Sequence, residues 1–207
     1  MTAMTAAMSL PEPQLEIYAR AKLPSQAGEF EVVSFVDAHG RRLDDVAVLH
    51  GDVAGAKELP VRIHSECLTG DVFGSKRCDC RDQLELALDR IADAPAGAVL
   101  YLRQEGRGIG IAEKVKAYEL QEQGYDTLDA NTHLGFDGDL RNYEVAAEML
   151  RALGVESVAL FTNNPAKVEG LQQNGIVVSR REPITADPRD ENSVYLDTKK
   201  RRMGHLL

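Results

Sequence analysis

Apolar and polar positions change period several times along this chain, and each change marks an element. From about Leu15 to Val53 the pattern suggests short strands separated by turns. Within it, Phe30–Val36 is rich in β-formers, and Asp37-Ala38-His39-Gly40 follows as a turn signal. Pro60–His64 reads as another strand. After Cys80 the period lengthens: Leu84, Leu88 and Ile91 share one face with Ala87 beside them, which predicts an amphipathic helix from Arg81 to about Asp93. Gly97–Leu102 is a buried-type strand. A helix from Ile111 to about Gln123 stops at Gly124, and another from Asn142 to Leu153 also ends at a glycine. In the last third, Val158–Phe161 is a strand. Asn164 caps the next helix, Pro165 occupies its first turn, Gly175 ends it, and Ile176–Val178 is the next strand. The alternation predicts an α/β fold: a mixed sheet with flanking helices and a β-rich N-terminal part. Nothing marks a linker. Residues 14–207 are therefore expected to form one domain, preceded by a disordered lead-in at 1–13.

Composition narrows the class. The net charge of −9 over 207 residues argues against a nucleic-acid partner, so a phosphorylated ligand needs a local basic pocket. No apolar stretch approaches the length of a membrane span, and the N-terminus has neither the basic flank nor the apolar core of a signal peptide. Three clustered cysteines do not make a secreted disulfide scaffold, and a cytoplasmic location is expected. The Lys199-Lys200-Arg201-Arg202 run reads as a solvated face.

Those cysteines carry the first chemistry. Cys67, Cys78 and Cys80 are the chain's whole complement. Three thiolates leave a tetrahedral zinc one position short, which is how a catalytic site keeps room for water. His64 as a fourth ligand, or three ordinary thiols, are the alternatives. Gly106-Arg107-Gly108-Ile109-Gly110 lies between a strand and a helix and suits an anion, although it departs from the dinucleotide fingerprint and is also compatible with a tight turn. Gly70–Lys76 has the wrong order for a P-loop. Thr162–Lys167 enters a helix N-terminus with a hydroxyl and a lysine, as a phosphate site or as a capped helix with a surface lysine. Asp139 and Arg141 fall on one side of an extended segment, as a working pair or an ordinary surface pair.

Together these segments resemble GTP cyclohydrolase II, the family that opens riboflavin biosynthesis. The resemblance runs from Leu59 to His205. It is carried by His64–Asp71 with Arg77–Cys80, Arg103–Gly110, Ala117–Gln121, Gly124–Thr127, Ala130-Asn131, Leu134–Phe136, Thr162–Pro165, Tyr195–Lys200 and Met203–His205. It implies that GTP and three waters give formate, pyrophosphate and 2,5-diamino-6-(5-phosphoribosylamino)pyrimidin-4-one. It implies one zinc (Zn2+) per chain on Cys67, Cys78 and Cys80. It also implies a GTP pocket formed by Arg62, Ile63, His64, Ser65 and Glu66 with Gln83, Glu105, Gly106, Arg107, Thr127, Thr162 and Lys167. Magnesium (Mg2+) would bridge the β and γ phosphates. Asp139 matches the family's general base, Arg141 its phosphate-attacking or charge-stabilising arginine, and Tyr118 the tyrosine associated with the second hydrolysis. A homodimer is implied, and so is a monofunctional enzyme, since the part before Leu59 is too short for a dihydroxybutanone phosphate synthase. Arg81 departs from the family pattern, which has a small residue there; it either alters the metal loop or adds charge near the phosphates. Two other readings are a paralogue that stops at the formamidopyrimidine and a non-catalytic zinc-stabilised nucleotide-binding module.

Overall fold

The computed structural model describes residues 14–125, 127–136, 139–187, 189–202 and 204–206, with Thr127, Leu128 and Val194 as backbone alone. The expected lead-in at 1–13, Asp137-Gly138 of the glycine-rich loop, and Asp126 and Met203 of the family motifs lie outside the described residues.

One sheet of seven strands runs through the fold in the order β1-β2-β3-β5-β4-β6-β7. Strands β1 (Leu15–Ser25), β2 (Gly28–Asp37) and β3 (Arg42–His50) form an antiparallel meander. They are longer than the short strands expected from sequence. β3 pairs antiparallel with β5 (Gly97–Leu102). From there β5, β4 (Leu59–Ser65), β6 (Ser157–Phe161) and β7 (Val177–Glu182) run parallel. The sheet is therefore mixed, as the alternation predicted.

Helices cover both faces. α2 (Cys80–Ala92) brings Ala87 and Ile91 against Phe30, Val99 and Phe161. α5 (Glu144–Ala152) brings Ala146, Ala147, Met149 and Leu150 against Val33, Phe35, Val61 and Ile63 on the other face. α6 (Pro165–Gln173) is capped as expected, with the Ala166 amide donating to Asn164 Oδ1 at 3.0 Å. α3 (Ile111–Glu122) and α4 (Thr127–His133) stand apart around a small cluster of Ala117, Leu120 and Ala130. The short α1 (Leu68–Asp71) and the C-terminal α7 (Ser193–Arg202) complete the set. Sequence periodicity did not predict α1, α4 or α7. α1 and α4 span four and seven residues, and α7 is mostly polar, so none shows a long apolar stripe.

Two features of the sheet create the site. β4 lies between β5 and β6: the chain passes from β4 to β5 on one side and then crosses back past β4 to β6 on the other, which opens a crevice at the strands' C-terminal ends. A central parallel strand is ordinarily a run of apolar residues. In β4, Val61 and Ile63 obey that rule, but Arg62 and His64, which alternate with them, are 5% and 1% exposed. Two ionisable side chains buried in the middle of a sheet break the local rule, as functional positions do.

Candidate active site

A cavity of ≈ 590 Å³ opens at the ends of β4, β5 and β6, within the usual range for a small-molecule site. The cysteines line it. Their sulfurs lie within 4.8 Å of one another, with Cys67 Sγ and Cys78 Sγ 3.7 Å apart. A tetrahedral zinc with Zn–S bonds of about 2.3 Å needs sulfurs about 3.8 Å apart, so the cluster has the right size. Gly70 makes room for it: a Cβ there would sit 3.0 Å from Cys78 Sγ and 3.1 Å from Cys67 Sγ. Soft thiolate donors suit zinc. Among the described residues the cluster stops at three ligands. His64, the sequence's candidate for a fourth, directs Nε2 to Asp71 Oδ2 at 3.0 Å.

The metal loop is pinned by carboxylates. Asp71 Oδ2 also accepts from the Cys67 amide at 3.0 Å and from the Tyr101 hydroxyl at 2.9 Å, and Tyr101 stacks on His64. Burial pushes the His64 pKa down, against the pull of Asp71, so the ring is neutral at pH 7. Glu105 accepts from the amides of Leu68 and Gly106 and from Lys114 Nζ, each at 2.7 Å. Lys114 also donates to Cys67 Sγ at 3.1 Å. Hydrogen bonds from Cys78 and Cys80, with help from the Lys114 ammonium, hold Cys67 as a thiolate. Cys78 is pushed up to about 11 by sharing its proton with that thiolate. Burial opposes the charge on Lys114, but Cys67 and Glu105 outweigh it and raise its pKa. Tyr118 reaches the same place, its hydroxyl 3.1 Å from Thr69 Oγ1, which lies 3.7 Å from Cys67 Sγ. Burial raises the Tyr118 pKa, so the phenol keeps its proton.

Cations gather beyond the thiols. Arg62 donates to the Phe161 carbonyl at 3.0 Å and to Gln83 Oε1 at 2.6 Å; Gln83 donates to Asp79 Oδ2 at 2.6 Å. Lys199 donates to Asp79 Oδ1 at 2.7 Å. Asp79 thus ties α7 to the segment between two cysteines. Burial pushes Arg62 down to about 10, which leaves it a cation at neutral pH. Lys167 donates to the Ile63 carbonyl at 2.8 Å, and burial together with Arg62, Arg141 and Lys199 pushes its pKa well down. Arg141 is bound by Asp139, with Nε 2.8 Å from Oδ1 and Nη2 2.5 Å from Oδ2. Burial works against both charges. Their mutual bond prevails, lowering the Asp139 pKa and raising that of Arg141. Arg107 sits in the left-handed region at φ 65°, strained for a residue with a side chain, and both terminal nitrogens are buried without a partner among the described residues.

Of the residues singled out from sequence, Arg62, His64, Ser65 and Glu66 line the cavity. So do Gln83, Glu105, Gly106, Arg107, Tyr118, Arg141, Thr162 and Lys167. Ile63 turns its side chain into the core and offers only its carbonyl. Asp139 reaches the cavity through Arg141. The Thr127 side chain lies outside the described residues. Lys167 is buried, unlike the surface lysine of the alternative reading. One expectation is corrected. Lys199 leaves the solvated face, being buried against Asp79, while Lys200, Arg201 and Arg202 stay exposed. Arg81 is exposed and donates to Glu85 Oε1 at 2.7 Å, one helical turn along α2, and a Cβ on Gly74 of the metal loop would meet its Nη1 at 3.4 Å. Sequence reasoning missed Asp71, Asp79, Tyr101, Lys114 and Lys199. Asp71 and Asp79 stood inside the quoted metal segment, and Lys199 inside a family motif; nothing local marked Tyr101 or Lys114.

Comparison with known proteins agrees with this geometry. The family model for GTP cyclohydrolase II matches residues 16–183. The GTP cyclohydrolase-2 of Picrophilus torridus is 48% identical, over 93% of this chain and 100% of that one. The GTP cyclohydrolase-2 of Cronobacter sakazakii is 50% identical, over 94% of this chain and 98% of that one. The riboflavin biosynthesis protein RibBA of Bacillus subtilis is 52% identical over 89% of this chain, which spans 46% of that longer protein. Matched across most of its length by that model and by these relatives, the chain belongs to the GTP cyclohydrolase II family.

Proposed function

We propose that this chain hydrolyses GTP to 2,5-diamino-6-(5-phosphoribosylamino)pyrimidin-4(3H)-one, formate and pyrophosphate, the first step of riboflavin biosynthesis. One observation carries the reading: a three-thiol cluster and a group of buried cations share a single cavity. The first suits opening of a purine ring, and the second suits a triphosphate that an acidic protein would otherwise repel. Bound to Cys67, Cys78 and Cys80, zinc would supply Lewis-acid activation of water for attack at purine C8.

The chain's own groups prepare that reaction. Lys114 and Glu105 fix the Cys67 sulfur, and Asp71 fixes the Cys67 amide. Tyr118, protonated and held by Thr69 beside the thiols, orients the formamide for the second hydrolysis by hydrogen bonding. Arg62, Arg107 and Lys167 bind the triphosphate, and magnesium would offset the rest of its charge. Asp139 spends both oxygens on Arg141 and has a lowered pKa, which suits a positioning group better than a base. Arg141 therefore remains a cation and stabilises charge on the α-phosphate as the α–β anhydride breaks.

The continuous sheet supports residues 14–207 as one domain. The three free cysteines support a reducing, cytoplasmic setting. No described helix is long and apolar enough to cross a membrane. The homodimer rests on family resemblance.

The test is to incubate zinc-loaded protein with GTP and magnesium and to measure products. One formate and one pyrophosphate per GTP are expected, and Cys78→Ser should lower both rates by more than about 100-fold. GTP binding with neither product would overturn the reading in favour of a binding module. A product heavier by one formyl group would replace it with ring opening alone.

A further inference from the structure

We propose that His205, on the segment following α7, is a substrate-contacting residue at the phosphate end of the cavity, where Nε2 hydrogen-bonds a phosphate oxygen. The assignment rests on the GTP reading above and extends it to a part of the chain given no role so far.

The segment is docked onto the site. The Leu206 amide donates to the Asn163 carbonyl at 2.8 Å, and the His205 amide donates to the Lys199 carbonyl at 3.1 Å. Asn163 lies between the end of β6 and the α6 turn that carries Lys167. One anchor therefore holds the segment to a phosphate-type loop and the other to α7. Between them His205 lines the same cavity as Arg107, Arg141, Lys167 and Lys199.

The ring is unsatisfied there. Nε2 is buried and has no partner among the described residues. The imidazole is pushed down to about 3, by burial first and then by Lys199, Arg141, Lys167 and Arg107. A neutral ring with an orphaned nitrogen amid cations gains nothing from the protein alone. A polyanion changes both conditions. It offsets the cations that suppress protonation, and it offers acceptors to the ring N–H and to the unpartnered nitrogens of Arg107 at once. Two neighbouring cations already have carboxylate partners, Lys199 with Asp79 and Arg141 with Asp139. The unmet hydrogen-bonding capacity of this wall thus includes both Arg107 and His205, and a triphosphate has oxygens enough for both.

Full-length, zinc-loaded wild type, His205→Gln and His205→Ala are titrated calorimetrically with a non-hydrolysable GTP analogue plus magnesium, and separately with guanosine. Both variants should bind the analogue about tenfold or more weakly and guanosine as wild type does. In turnover, KM for GTP should rise more than kcat falls. The ratio of the two affinities is decisive. An unchanged ratio overturns the assignment, whether both ligands bind normally or both are lost with the fold. Wild type that fails to bind the analogue would instead overturn the GTP reading itself.

Discussion

Asp71 belongs to the carboxylates that support the thiol wall of the site and Arg107 to the cations that line its phosphate wall, and their side chains are treated in opposite ways. Asp71 is paired with His64 and accepts from Tyr101 and the Cys67 amide. Glu105 accepts from two amides and Lys114, and Asp79 from Gln83 and Lys199. The wall that carries the thiols has its carboxylates committed before any ligand arrives. Arg107 and His205, which line the same cavity, keep buried nitrogens without partners among the described residues, and Arg107 holds a strained backbone as well. The carboxylates of the first wall are preorganised by internal bonds, as a metal site requires, and its one orphaned ring nitrogen among the described residues is His64 Nδ1, on the far side of the imidazole from Asp71. On the proposed reading, Arg107 and His205 keep their bonds for the substrate, at a cost in stability to the free protein. Substitutions on the two walls should therefore fail differently.

The largest effect is expected from Asp71→Ala. It strips the acceptor from three buried donors at once, which costs roughly 2–4 kcal/mol. Thermal unfolding should show a clear drop in midpoint, and competition with a chelator should show weaker zinc retention. A variant that kept its midpoint and its zinc would break the distinction, because the carboxylate would then be idle. Arg107→Met should behave in the opposite way. KM for GTP should rise by about tenfold or more, since a charge-assisted contact is lost. The unfolding midpoint should stay level or rise, because two unpartnered buried nitrogens disappear. A fall in the midpoint with KM unchanged would make Arg107 a structural residue and remove the basis for the open wall.

Much of the open wall was legible in the sequence and much of the committed wall was not. The strands and long helices of the α/β part followed from period changes, and Asn164 and Pro165 marked the entry to α6 correctly. Arg107, Lys167, Arg141 and the cysteines stood out because short motifs or resemblance drew attention to them. The support behind the cysteines was hidden, since it joins distant parts of the chain. Lys199 meets Asp79 across 120 residues, and Glu105 meets the Leu68 amide across 37. No local pattern encodes such pairings. Lys199 in particular looked like one of four exposed cations, and only the docking of α7 separates it from its neighbours. The N-terminal strands were underestimated for a related reason. Their lengths are set by pairing along the meander, which period alone does not report.

The smallest effect is expected at Arg81, and it tests the comparison from outside. Its place directly after Cys80 suggested an altered metal loop or charge added near the phosphates. The guanidinium instead meets Glu85, a pair whose side chains are 49% and 57% exposed. Exposed pairs of this kind contribute little, and solvent screens their field before it reaches a buried site. Arg81→Ala removes the charge while keeping a good helix former in the first turn of α2. Zinc content, KM for GTP and kcat should all stay within about twofold of wild type. If zinc affinity fell as it should in Asp71→Ala, the committed wall would extend into α2. If instead KM rose as in Arg107→Met, charge would act on the triphosphate from outside the cavity lining, and the phosphate wall would extend into α2.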